Sequence, residues 1–126
     1  MTLRELSQLR ALHREIRLDT ERLARLDITL YPSAKLMDVS PEENAARTAA
    51  IRKIIREKRS RCLAERERLE RYIASVDDSL IRQAMTLRFV DGLGWRAAAM
   101  RIGGGNTEES VKKMVYRYLK RTGGGE

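Results

Sequence analysis

The sequence predicts an all-α chain, a long N-terminal helical hairpin followed by three short helices in a helix-turn-helix arrangement, on three observations. Apolar residues recur at three- and four-residue spacing over the first 75 positions. Capping and breaking residues fall where such helices should start and stop. Residues 77–121 then divide into three short amphipathic segments separated by turns that contain glycine.

The first helix is expected from Leu3 to about Leu30, with Leu9, Leu12, Ile16, Leu23, Leu26 and Leu30 forming a stripe that Asp19 interrupts at a seam position. Tyr31-Pro32-Ser33 should end it, because proline disfavours helical geometry in the residue before it, and a connector then runs to Val39. Ser40-Pro41-Glu42-Glu43 has the form of a helix start, with a capping hydroxyl, proline at the first helical position and glutamate at the third. The second helix should reach about Ser75 and carry Ile51, Ile55, Cys62, Leu69, Tyr72 and Ile73 on one side, with Lys58 and Glu65 diluting the stripe. At ~1.5 Å per residue its length is roughly 50 Å. Two stripes joined by a short connector imply an antiparallel hairpin, and neither stripe is wide enough to be satisfied by one neighbour. A homodimer through the hairpin is the preferred expectation, with a parallel coiled coil of the second helix as the alternative.

Asp77-Asp78-Ser79 supplies the cap of the third helix, which presents Leu80, Ile81, Ala84, Met85, Leu87 and Phe89 for packing until Asp91-Gly92 stops it. Leu93 reaches back to the core and Gly94 or its neighbour opens the next helix, whose buried side is Trp95, Ala98, Ala99 and Ile102. The small Ala98 and Ala99 allow close approach of a crossing helix, and Gly103 ends the segment. Asn106 or Thr107 caps the last helix, with Glu109 three residues after Asn106. Val111, Val115, Tyr118 and Leu119 fall on its core side with Met114 beside them. The opposite side carries Glu109, Lys112, Lys113, Tyr116, Arg117 and Lys120. The expected division is therefore 1–75 as the hairpin for dimerisation or partner binding, 76–121 as a helix-turn-helix DNA-binding domain, and 122–126 as a flexible tail.

Lysine and arginine number 26 against 18 acids, a net charge of +8 that favours a polyanionic partner through release of counterions from phosphates. The excess lies after residue 40, and between Ile51 and Arg61 six basic residues face the single acid Glu57. That stretch is either a phosphate-contacting face or a solvated helix surface, and the sequence leaves both open. One cysteine and one histidine exclude an internal disulfide and give no recognisable metal cluster, and no paired acids or nucleophile-base set is visible. Cys62 reads as a core or seam residue and His13 as a polar helix residue. GGGNT at Gly103–Thr107 lacks the following Lys-Ser/Thr of a P-loop and follows a helix, so no nucleotide site is implied. The expectation is a non-enzymatic protein with no cofactor and no metal. No apolar run approaches the length of a membrane span and the N-terminus lacks the apolar core of a signal peptide, so a cytoplasmic location is expected.

Leu87-Arg88-Phe89-Val90-Asp91-Gly92-Leu93-Gly94-Trp95, then Ala98-Ala99-Met100-Arg101-Ile102-Gly103, and Ser110-Val111 followed by Tyr116-Arg117-Tyr118-Leu119, resemble region 4 of bacterial sigma-70-type factors. The same module occurs in small phage transcription regulators of the RinA and ArpU type, and the resemblance covers about the last 45 residues. It implies a three-helix core whose last helix reads double-stranded DNA at a promoter in the bacterial host cytoplasm, at the nucleoid. Carried over, Thr107 matches the residue that caps the recognition helix, Glu108, Glu109 and Ser110 its groove-entering turn, and Lys112, Lys113 and Arg117 its basic side. Gly104, Gly105 and Asn106 make the turn longer than the family's usual form. Glu108 and Glu109 repel phosphates, although a glutamate can accept from cytosine N4.

Non-specific attraction is expected from Arg52, Lys53, Arg56, Arg59, Lys112, Lys113, Arg117, Lys120 and Arg121, and sequence choice from Glu108, Glu109, Ser110, Lys112 and Lys113. Tyr116 either packs along a sugar-phosphate strand or shields the helix. RNA polymerase is a further candidate partner, since sigma region 4 also binds it. The alternatives are a small terminase subunit for DNA packaging, or a polymerase-binding adaptor without DNA affinity.

Overall fold

The computed structural model describes residues 1–36 and 40–123, and the side chains of these except 27–36 and 41. The helices follow in the order α1 (Leu3–Ser7), α2 (Leu9–Leu36), α3 (Pro41–Ala74), α4 (Ser79–Met85), α5 (Trp95–Ile102) and α6 (Glu108–Arg121), with a π-helical turn at Thr86–Val90 continuing α4. The described residues contain no strand.

The caps explain most of the starts. Thr2 and Glu5 form a reciprocal capping box in front of α1, each side chain accepting from the other's backbone amide at 3.1 Å. Ser40 Oγ accepts from the Glu43 amide at 3.1 Å, so Ser40-Pro41 opens α3 as its sequence implies. Asp78 accepts from the Ile81 amide at 3.0 Å and selects itself from the three candidate caps of α4.

Two expected boundaries are corrected. The first helix does not stop at Tyr31-Pro32-Ser33: α2 runs through to Leu36. Proline removes one amide donor and penalises the preceding residue by a few kcal/mol, about 3 in a helix interior, and a long helix can absorb that. Residues 37–39 of the expected connector lie outside the described residues. The third helix also changes pitch after Met85, where the Asp91 amide bonds to the Thr86 carbonyl at 2.9 Å, five residues back. No periodicity in so short a segment announces an inserted residue.

The chain packs as two compact units, one made of Met1–Leu12 with Glu65–Glu126 and the other of His13–Ala64. In the first, Leu6 and Leu9 from the N-terminus and Leu69, Ile73 and Val76 from the end of α3 join Ile81, Ala84, Met85, Phe89, Trp95, Ala99, Val111, Val115 and Leu119 in one buried cluster. Three helices totalling so few residues cannot close a core alone, and the ends of the longer helices supply the missing apolar surface. Arg68 ties the same elements at the surface. Its guanidinium donates to Glu5 Oε2 at 2.6 Å and to Glu65 Oε1 at 2.8 Å.

In the second unit the interruptions of the two stripes meet each other. Asp19, only 2% exposed, is paired with Lys58, whose Nζ lies 3.1 Å from Asp19 Oδ1 and 3.3 Å from Glu15 Oε2. A buried carboxylate is costly without a counter-charge, so each of these seam residues makes the other tolerable. The two acids hold the Lys58 ammonium above its ordinary pKa, Asp19 contributing most. Cys62 is buried in the same unit, and burial followed by the Glu15 carboxylate pushes its thiol up, away from the reactive thiolate. Ile55 and Cys62 are buried as expected, but Ile51 is 42% exposed.

Lys58→Met should lower the urea midpoint by leaving the buried Asp19 carboxylate without its counter-charge, and adding Asp19→Leu should recover it. The Arg68 guanidinium holds the Glu5 and Glu65 carboxyls below their ordinary value of 4.5. Depressed folded-state values mean that this contribution is full above the unfolded value and is lost as pH falls through the folded one. Arg68→Met should therefore flatten the acid limb of the stability profile below about pH 5, read from urea midpoints across pH.

Candidate nucleic-acid interface

The side of α6 that faces solvent is fixed by what the other side buries. Val111, Val115 and Leu119 are fully buried and Met114 and Tyr118 are packed against the same core, as the spacing predicts. Lys112, Lys113, Tyr116, Arg117, Lys120 and Arg121 are left on the exposed surface, together with Thr107, Glu108, Glu109 and Ser110 at the helix start. Within Glu108–Arg121 five basic side chains stand against two acids, and the acids occupy the first turn while Lys120 and Arg121 occupy the last. That order suits the helix dipole at both ends, a structural reason for the two glutamates independent of any base contact.

Thr107 is the cap. Its Oγ1 accepts from the Ser110 amide at 3.1 Å and Ser110 Oγ accepts from the Thr107 amide at 2.9 Å, so the box is closed by Ser110 and not by Glu109. Asn106 instead turns inward on the loop, its Nδ2 donating to the Gly103 carbonyl at 2.7 Å. Gly103, Gly104 and Gly105 have φ of 70°, 65° and 80° in succession. A run of left-handed residues is cheap only for glycine, so the longer turn is a built conformation. An added Cβ would have room at each of the three, and the constraint is therefore the backbone angle.

Aromatic contacts set α6 against its neighbours. Phe89 and Trp95 meet edge to face with centroids 6.1 Å apart, and Trp95 meets Tyr116 in the same way at 6.0 Å. Arg88 lies over Trp95 at 5.0 Å and also donates to the Leu93 carbonyl at 3.1 Å, while Lys112 lies over Tyr116 at 5.6 Å. Trp95 is thus a core anchor. Tyr116, 38% exposed, is held by Trp95 beneath it with Lys112 beside it.

A groove of about 490 Å³ runs along one flank of α6, with Ile81 of α4 on its far side and Thr107, Ser110, Lys113, Arg117 and Arg121 along its α6 wall. Lys113 is held by Glu109 at 2.9 Å, one turn back. Arg121 lies over Tyr118 at 5.7 Å.

Arg52, Lys53, Arg56 and Arg59 belong to the other unit, on α3. Lys53 and Arg56 are exposed and Arg59 donates to Thr20 Oγ1 at 3.2 Å. On α5, in the same unit as α6, Arg96 and Arg101 are exposed and lie outside the expected set. Their signal was present in the sequence, since both lie opposite the Trp95, Ala98 and Ala99 face of an eight-residue helix. Among the described residues no helix is long and apolar enough to cross a membrane. No protein-family model, no curated protein and no solved structure matches the chain.

Thr107→Ala should cost about 1 kcal/mol by freeing the Ser110 amide, and Thr107→Ser should restore most of it, both read from thermal or urea unfolding.

Proposed function

We propose that this chain is a sequence-specific DNA-binding regulator of transcription, encoded by a phage or prophage, whose α5, glycine turn and α6 act as a helix-turn-helix of the sigma region 4 type. The observation that carries the proposal is α6 itself. One side is sunk in the core and the other offers Lys112, Lys113, Arg117, Lys120 and Arg121 to solvent on a rigid mount. A helix so held suits entry into a major groove about 12 Å wide, its first turns at base edges and its later basic residues at phosphates.

The chemistry divides along the helix. Arg117 and Arg121, one turn apart on the groove wall, are spaced to follow a phosphate strand, with Arg96 and Arg101 of α5 as further phosphate contacts. Glu109 and Lys113 already bond each other and can exchange that bond for a base edge, glutamate accepting from cytosine N4 and lysine donating to guanine O6 or N7. The partner in this proposal is double-stranded DNA, and promoter action brings RNA polymerase within reach.

The test is selection of bound duplexes from a random pool, followed by salt-dependent titration of the selected site. Lys113→Ala with Arg117→Ala should weaken binding by about tenfold or more and reduce the slope of log affinity against log salt by about 0.9 for each phosphate no longer neutralised. Unchanged affinity and unchanged slope would overturn the assignment of α6. Retention of RNA polymerase without any duplex binding at low salt would replace it with an adaptor role.

A further inference from the structure

The turn between the π-helical segment and α5 carries a side chain from the opposite end of the chain. Leu9 is fully buried in the core of the first unit, which fixes the rotation of that helical turn and leaves Arg10 exposed. The Arg10 side chain lies against the backbone of Gly92: a Cβ added there would stand 2.5 Å from Arg10 Cζ and 2.9 Å from its Cδ, closer than real Cβ atoms come. Glycine at this position is therefore what admits the guanidinium. Among the described residues Arg10 makes no hydrogen bond, ion pair or ring contact, so its five N–H donors are unused within them.

Arg10 also ends a basic strip that starts on α6. Lys112 lies over Tyr116 at 5.6 Å, Tyr116 meets Trp95, and Arg88 lies over Trp95 and donates to the carbonyl of Leu93, the residue after Gly92. Residues four apart share a helix face, so Lys112 and Tyr116 bound the exposed side of α6 where it meets α5, and Arg117 and Arg121 bound it at the groove shared with Ile81. The strip from Lys112 through Arg88 to Arg10 thus continues from one edge of α6, and the groove runs along the other. The acids beside the strip are Asp91 and Glu108, both exposed, and neither forms an ion pair among the described residues. A helix seated in a major groove has a phosphate strand on each side, and a guanidinium meets phosphate with two parallel donors. We infer that Arg10 is a DNA contact, taking a phosphate of the strand on the α5 side while Arg117 and Arg121 follow the strand on the other. The start of the chain then belongs to the DNA interface, well outside the 76–121 segment to which the sequence assigns DNA binding.

This role of Arg10 rests on duplex binding by α6, and the two fail separately. With the full chain on the selected duplex, Arg10→Met should weaken binding by about threefold to tenfold and reduce the slope of log affinity against log salt by about 0.9, whereas Arg10→Lys should keep the slope. Duplexes carrying one uncharged methylphosphonate at each backbone position in turn should include one, outside those that Lys113→Ala and Arg117→Ala silence, that weakens the wild-type chain and leaves Arg10→Met unaffected. Urea midpoints check that the variants fold. Wild-type affinity and slope for Arg10→Met, with the Lys113→Ala and Arg117→Ala loss still present, would overturn the Arg10 contact and leave α6 standing. A weaker Arg10→Met with an unchanged slope and a lowered urea midpoint would also overturn it, leaving Arg10 as a clamp on the Gly92 turn. No duplex binding by the wild-type chain would overturn both.

Discussion

The exposed side of α6 exists because Val111, Val115 and Leu119 are held in a core that this helix and its two short neighbours could not build alone. Leu6 and Leu9 come to that core from the start of the chain, and Leu69, Ile73 and Val76 come from the end of α3. Burial on one side, with Trp95 braced against Tyr116 on the next, keeps α6 from turning about its own axis. The basic residues of α6 need no contribution of their own to stability.

A second constraint works by charge. Asp19 and Lys58 each spoil an apolar stripe, and together they make a pair that only one alignment of α2 and α3 can form. A buried ion pair adds little net stability, but sliding one helix past the other would strand Asp19 without its partner. Such a pair trades strength for a defined register.

The glycine turn and the aromatic contacts act at a finer level. Three successive left-handed glycines let the chain leave α5 and re-enter at Thr107, and the Thr107–Ser110 box closes the new helix at its first turn. Arg88, Trp95, Tyr116 and Lys112 then link the π-helical turn, α5 and α6 through an aromatic pair with a cation over each ring. Each is worth about 1 kcal/mol, and their use is orientation.

What the sequence determined by itself was local. Periodicity and caps placed α3, α4, α5 and α6 nearly to the residue, and the spacing of Val111, Val115, Tyr118 and Leu119 already separated the buried from the basic side of α6. Helix propensity, capping and amphipathic period depend on neighbours a few positions away, so they can be read in one dimension. The helix through Pro32, the π-helical turn after Met85 and the choice of Ser110 over Glu109 to close the cap were not legible. Each is a small local difference settled by packing or by hydrogen-bond geometry. Only the tertiary structure decided that Leu6, Leu9, Leu69 and Ile73 share a core with α6 and that Asp19 answers Lys58. Those are contacts between residues tens of positions apart, and their energies appear only when the folded chain brings the side chains within a few ångströms.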